Sequence, residues 1–150
     1  MADFDLVGRE SLLRAAAHVK EVGDRGLRIA LQRNLRLATA PLLPEIKQSA
    51  LDTLPKRGGL AARVAGAKLS TSISLGKTVR VSIKARGVEG SMDVKAMNEG
   101  KLRHPVFGNR AVWRTQTIRP HWFDLPVERG IPAIRGSVKL ACDEIAGQFK

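Results

Sequence analysis

Two runs of strict alternation limit the folds open to this chain of 150 residues more than any other feature. Leu69, Thr71, Ile73 and Leu75 recur at every second position, as do Val79, Val81, Ile83 and Ala85 after a break at Gly76-Lys77. Period-two spacing gathers one set of side chains on one face of a strand. A short glycine-containing break between two such runs predicts an antiparallel hairpin. Arg80, Ser82 and Lys84, on the alternate positions, would face water or a neighbour. Helical spacing flanks the hairpin on both sides. The chain therefore predicts one α+β domain over residues 1–150, a small antiparallel sheet packed by a long N-terminal helical region and a C-terminal amphipathic helix.

The helical region is expected over residues 1–54. Leu12, Ala16, Val19, Leu27, Leu31, Leu35 and Ala38 follow helical spacing, broken near Gly23 and Gly26, which reads as two helices or one kinked helix. Arg25, Arg28, Arg33 and Arg36 fall on one side of its second half, a solvated face or a contact with a partner subunit. Pro41 and Pro44 end that helix. Pro44-Glu45 suits the first turn of the next, which runs to about Thr53 with Ile46, Ala50 and Leu54 on one face. Residues 55–59, Pro-Lys-Arg-Gly-Gly, predict a flexible loop in which Lys56 and Arg57 could meet an anion.

Residues 60–123 are expected to be rich in sheet. A short helical piece at 60–67 leads into the hairpin, residues 86–91 form a glycine-containing loop, and Asp93 can cap a short helix that Gly100 stops. Strand-like segments at 102–104 and 111–118 would complete the sheet. After Pro126, Val127, Ile131, Ile134, Val138, Ala141, Ile145 and Phe149 recur at three- and four-residue steps. This predicts an amphipathic helix over 126–149 lying across the sheet, with its continuous part starting near Pro132.

Residues 98–123 hold four of the six aromatics, Phe107, Trp113, Trp122 and Phe123, among Lys101, Arg103, Arg110, Arg114 and Arg119. His104 and His121 in the same block can titrate near neutrality. His104-Pro105 and Pro120-His121 bracket it, and a residue before proline is pushed toward extended backbone, so the block reads as strand, turn, strand. Aromatics beside cations can stack on bases. Alternation instead puts Trp113, Thr115 and Thr117 on the face opposite Val112, Arg114, Gln116 and Ile118, while residues 120–123 form a packed corner. Trp113, Trp122 and Phe123 are therefore expected in the core or at a subunit contact.

The order Met97-Asn98-Glu99-Gly100, Leu102-Arg103-His104-Pro105-Val106-Phe107-Gly108, Trp113, Gln116 and Pro120-His121-Trp122-Phe123 resembles the neck, or tail-completion, family of long-tailed bacteriophages, the gene-product-ten-like proteins. The chain departs from that family at His121, where a glycine is common. The resemblance implies a virion protein without catalysis, one subunit of a homo-oligomeric ring at the head–tail junction, made in the host cytoplasm. Similar proteins form sixfold rings. Its neighbours would be connector and tail-tube proteins, with genomic DNA in the channel. Arg33, Arg36, Lys56, Arg57, Arg103 and His104, with the four aromatics, are then candidates for interface or packing positions.

Several other classes find little support in the residues. The N-terminus carries acids where a signal peptide needs cations, and no apolar run approaches the ~20 residues of a membrane span. Gly76-Lys77-Thr78 lacks the glycine that a phosphate-binding loop requires at position 71, which is Thr. His18, His104 and His121 lack zinc-site spacing, and the lone Cys142 supplies no thiolate cluster. Asp93, Glu99 and Asp124 show no catalytic spacing, so neither an enzyme nor a cofactor is expected. The formal charge of +12 is spread along the chain, twelve Lys/Arg against seven Asp/Glu in residues 1–75 and fourteen against seven in 76–150. Charge with interleaved aromatics also fits a basic nucleic-acid-binding protein using the 101–123 segment.

Overall fold

A computed structural model describes the backbone of residues 3–6 together with residues 25–76, 79–86 and 93–147. The fold is α+β. Helix α1 spans Arg25–Thr39, α2 Leu42–Thr53, α3 Leu60–Ala65, α4 Val94–Asn98 and α5 Asp124–Gly147. The strands are β1 Asp3–Leu6, β2 Lys68–Leu75, β3 Val79–Arg86, β4 Lys101–Val106 and β5 Asn109–Thr117.

The expected hairpin is present, with Leu69, Thr71, Ile73 and Leu75 opposite Ala85, Ile83, Val81 and Val79. The single sheet expected divides in two, a three-stranded sheet in the order β1-β3-β2 and a separate two-stranded hairpin of β4 and β5. The chain start is not wholly helical. Asp3-Phe4-Asp5-Leu6 alternates polar and apolar residues and pairs with β3 from Lys84 to Val81. That pairing makes β3 the central strand, and Ser82, expected to face outward, is buried. The expected helical turns at 7–24 and the loop at 86–91, apart from Arg86 at the end of β3, lie outside the described residues.

Helix α1 buries Leu27, Ala30, Leu31 and Leu35, an i, i+3, i+4, i+8 stripe, and packs on both β2 and α5. The closing helix does not lie chiefly across the sheet; it runs against α1 and α2. Its buried stripe is Val127, Gly130, Ile134, Val138, Ala141 and Ile145. It starts at Asp124, two residues before the expected 126, and is continuous through Pro132, where its continuous part was expected only to begin. Pro132 cannot bond the Glu128 carbonyl, but both residues are exposed, so water can satisfy that oxygen. Gly130 is required by packing, since a Cβ there would stand 2.4 Å from Leu42 Cδ2. The core is one cluster from Leu27 to Ile145, with Trp122, Phe123, Ile83 and Met97 among its fully buried members. Among the described residues no helix is long and apolar enough to cross a membrane.

Two glycines test these close approaches with opposite signs. Gly100 has φ 87°, and a Cβ there would lie 2.9 Å from the Ile118 carbonyl oxygen. Gly100→Ala should cost about 1–3 kcal/mol in denaturant unfolding, because left-handed strain and the clash act together. Gly136 faces open space in α5. Gly136→Ala should stabilise by up to ~1 kcal/mol through helix propensity alone.

Candidate functional site

The β4–β5 hairpin and its base bring together most of the residues that the 98–123 block singled out. Asp93 caps α4, its carboxylate accepting the Ala96 N–H at 3.0 Å. The chain then turns at Gly100, whose carbonyl accepts the Ile118 N–H at 2.9 Å and closes the hairpin base. Lys101 faces Thr117, Arg103 faces Thr115, and His104 faces Arg114.

Near its end the pairing shifts. Pro105 is opposite Trp113 while the next residue, Val106, is opposite Asn109, so residues 110–112 bulge from β5. The Asn109 side-chain oxygen accepts the Ala111 N–H at 3.0 Å inside that bulge. Phe107 and Gly108 make the tip with φ 49° and 78°. Two positive φ angles in a two-residue loop match the twist of the strands, but the first position ordinarily takes Asn, Asp or Gly. A phenylalanine there is a steric outlier, and its side chain is wholly exposed at 104%.

All nine residues of β5 are exposed. Trp113, expected in the core or at a subunit contact, is 38% exposed and outside the core of the chain. Its indole N–H donates to the Arg110 carbonyl at 2.7 Å, and the Arg103 guanidinium lies 5.4 Å from its ring centroid. Arg103, Trp113, Lys101, Leu102 and Thr115 line one side of an open cleft of about 510 Å³; the cap Asp93 and Ala96 and Met97 of α4 line the other. His104 Nδ1 lies 3.2 Å from the Pro105 carbonyl.

The corner at the base is packed as expected. Trp122 and Phe123 are buried with their rings edge to face at 5.5 Å. Asn98, which carried no signal of this role in the sequence, holds the corner from 25 residues away. Its Oδ1 accepts the Phe123 N–H at 2.9 Å, and its carbonyl accepts the His121 N–H at 2.8 Å. His121 has φ 67°, the left-handed region that favours glycine. Its Nδ1 lies 2.9 Å from Asp124 Oδ2. That hydrogen bond, with the carboxylate's charge, raises the His121 pKa.

The remaining candidates lie elsewhere. Arg33 pairs with Glu144 of α5, its Nη2 within 2.7 and 2.8 Å of the two carboxylate oxygens. It is thus tied into the fold, and the pairing holds the Glu144 carboxyl below its ordinary range. Arg36 is exposed in the last turn of α1. Lys56 and Arg57 are exposed in a short turn closed by Gly59 N–H to Lys56 carbonyl at 3.2 Å. Cys142 is half-buried, and burial pushes its thiol up. Among the described residues no three His, Cys, Asp or Glu side chains are gathered as metal ligands.

Charge adds what alternation missed. Residues 100–123 contain five Lys/Arg and no Asp or Glu, a signal legible in the sequence once acids are counted as well as bases. No family model matches the chain, and no curated protein or solved structure gives a significant match.

The two tryptophans should separate on substitution. Trp122→Ala should cost roughly 3–5 kcal/mol in denaturant unfolding, whereas Trp113→Ala should cost about 1 kcal/mol or less, the worth of an exposed cation–π contact.

The His121–Asp124 pair makes stability depend on pH. Because the folded pKa of His121 is raised above the ordinary 6.5, its contribution is complete below that value and is lost as pH rises through the folded pKa. His121→Asn keeps a residue that tolerates left-handed backbone and removes the titration. The stability advantage of the wild type over this variant should shrink from pH 6 to 8 in thermal melts, and a flat difference would refute the pairing.

Proposed function

We propose that this chain is a structural subunit of a homo-oligomeric ring at a bacteriophage head–tail junction, binding neighbouring subunits and connector or tail-tube proteins and catalysing nothing. The observation that carries it is an exposed apolar seam where α1 and α5 run side by side. The helices are antiparallel: Arg33 reaches Glu144, while Leu42, just beyond α1, abuts Gly130. One turn after Arg33 comes Leu37, and one turn before Glu144 comes Leu140. These leucines are 67% and 65% exposed, and Ile29, one turn before Arg33, is 56% exposed. Large apolar side chains on both sides of an ion pair that the fold itself neutralises form a surface suited to a neighbour. The resemblance of residues 97–123 to neck proteins supplies the context. A ring requires each face to meet a different face on the next copy, so the seam would pack against another surface of the adjacent subunit.

Leu37→Glu with Leu140→Glu should leave the fold intact, since both side chains are already exposed, and should abolish oligomers in sedimentation at micromolar concentration. A wild-type chain that stays monomeric with its predicted ring partners present, or a double variant that assembles as well as wild type, would sink this reading.

A further inference from the structure

The seam leaves the β4–β5 hairpin without an assigned partner, and its chemistry is different. We propose that this hairpin is an arm that enters a groove of duplex DNA, its cations on the phosphates of both walls and Phe107 on the bases. The arm belongs to the single chain, so the proposal does not depend on ring formation.

Three features point to this occupant. The first is sign: the stretch from Gly100 to Phe123 has five fixed positive charges and no acid, so its partner is an anion. A second copy is a poor candidate. The chain carries +12, and three of its described acids are already engaged: Glu144 is paired with Arg33, Asp124 with His121, and Asp93 caps α4.

The second is two-sidedness. Residues opposite one another across an antiparallel pair share a face. Lys101 and Arg103 therefore project from one face of the ribbon and Arg114 from the other, while Arg110 leaves the bulge beside the tip. An acidic protein surface would neutralise one face of such a ribbon. A nucleic-acid groove has a phosphate wall on each side, and the major groove, about 12 Å wide, admits a two-stranded ribbon.

The third is the tip. Phe107 is wholly exposed and is held at φ 49°, a conformation disfavoured for a bulky side chain. It stands at the end of the arm farthest from the core, where a side chain entering a groove first meets the bases. In the major groove an apolar side chain such as Phe can contact the thymine methyl group. It would add an apolar contact whose strength does not fall with salt as phosphate contacts do.

The test is duplex binding by fluorescence anisotropy, with a 30-base-pair random-sequence duplex titrated from 50 to 200 mM salt. Log affinity should fall with log salt at roughly −0.9 per phosphate neutralised, so a slope near −3 to −4 is expected for four arm cations. Arg103→Gln with Arg114→Gln should reduce that slope by about two. Phe107→Ala should weaken binding and leave the slope unchanged. The control pair Lys56→Gln with Arg57→Gln removes the same charge elsewhere and should change affinity little. All these residues are exposed, and unchanged melting temperatures will verify that the variants fold. Absence of duplex binding at 50 mM salt overturns the proposal, as does equal weakening by the arm and control pairs. Equal or tighter binding to polyglutamate overturns it in favour of an acidic protein, and tighter binding to the single strand removes the groove.

Discussion

The hydrogen bonds of Asn98 hold the molecule's working parts in register. Its side-chain oxygen takes the N–H of Phe123 and its carbonyl takes that of His121. Phe123 N–H precedes α5 and would be an orphan donor at the helix start; a cap borrowed from another element satisfies it. The same two bonds fix where the β4–β5 hairpin departs, because Asn98 is the last residue of α4 and Gly100 begins the turn into β4. They also seat Trp122 and Phe123 in the core. An amide is well suited to this buried position, since a carboxylate there would carry the cost of burying charge.

From that corner the long helix has to pass two residues that ordinarily disturb helices. Gly130 is placed where α5 meets Leu42 and no side chain fits; Pro132 is placed on the opposite, exposed side, where its missing hydrogen bond can be made good by water. The conflict between local propensity and global packing is resolved by which face each residue occupies. A count of helix breakers cannot see that distinction, so the helix was expected to be continuous only from near Pro132, whereas it is continuous from Asp124. The same principle applies at His121, where the left-handed backbone is unfavourable for an ordinary side chain but the imidazole gains Asp124 as a partner.

Elements governed by local pattern were legible in the sequence: the β2–β3 hairpin, the cap at Asp93, the stripe along α5, and the burial of Trp122 and Phe123. Those governed by distant partners were not. The short run Asp3-Phe4-Asp5-Leu6 alternates correctly, yet four residues become a strand only because β3 offers an open edge. Arg33 reads as a surface charge until Glu144, 111 residues away, is beside it. Trp113, expected in the core or at a subunit contact, finds no second layer to pack against within the chain. Here β4 and β5 form their own sheet of two strands, and one face of so small a sheet cannot enclose an indole.

That separate sheet bears on how a chain carrying +12 could both assemble and meet an anion, as proposed. Copies of such a chain repel one another, and the repulsion weakens as salt screens it over about a Debye length, ~8 Å at physiological salt. An apolar contact along Ile29, Leu37 and Leu140 would therefore persist or strengthen with added salt, because the Arg33–Glu144 pair beside it is already closed within each subunit. Phosphate contacts made by Lys101, Arg103, Arg110 and Arg114 would weaken over the same range by counterion release. The fold thus keeps its apolar seam and its acid-free arm on different elements. Opposite salt responses from one molecule would reveal two functions where net charge alone suggests a choice between them.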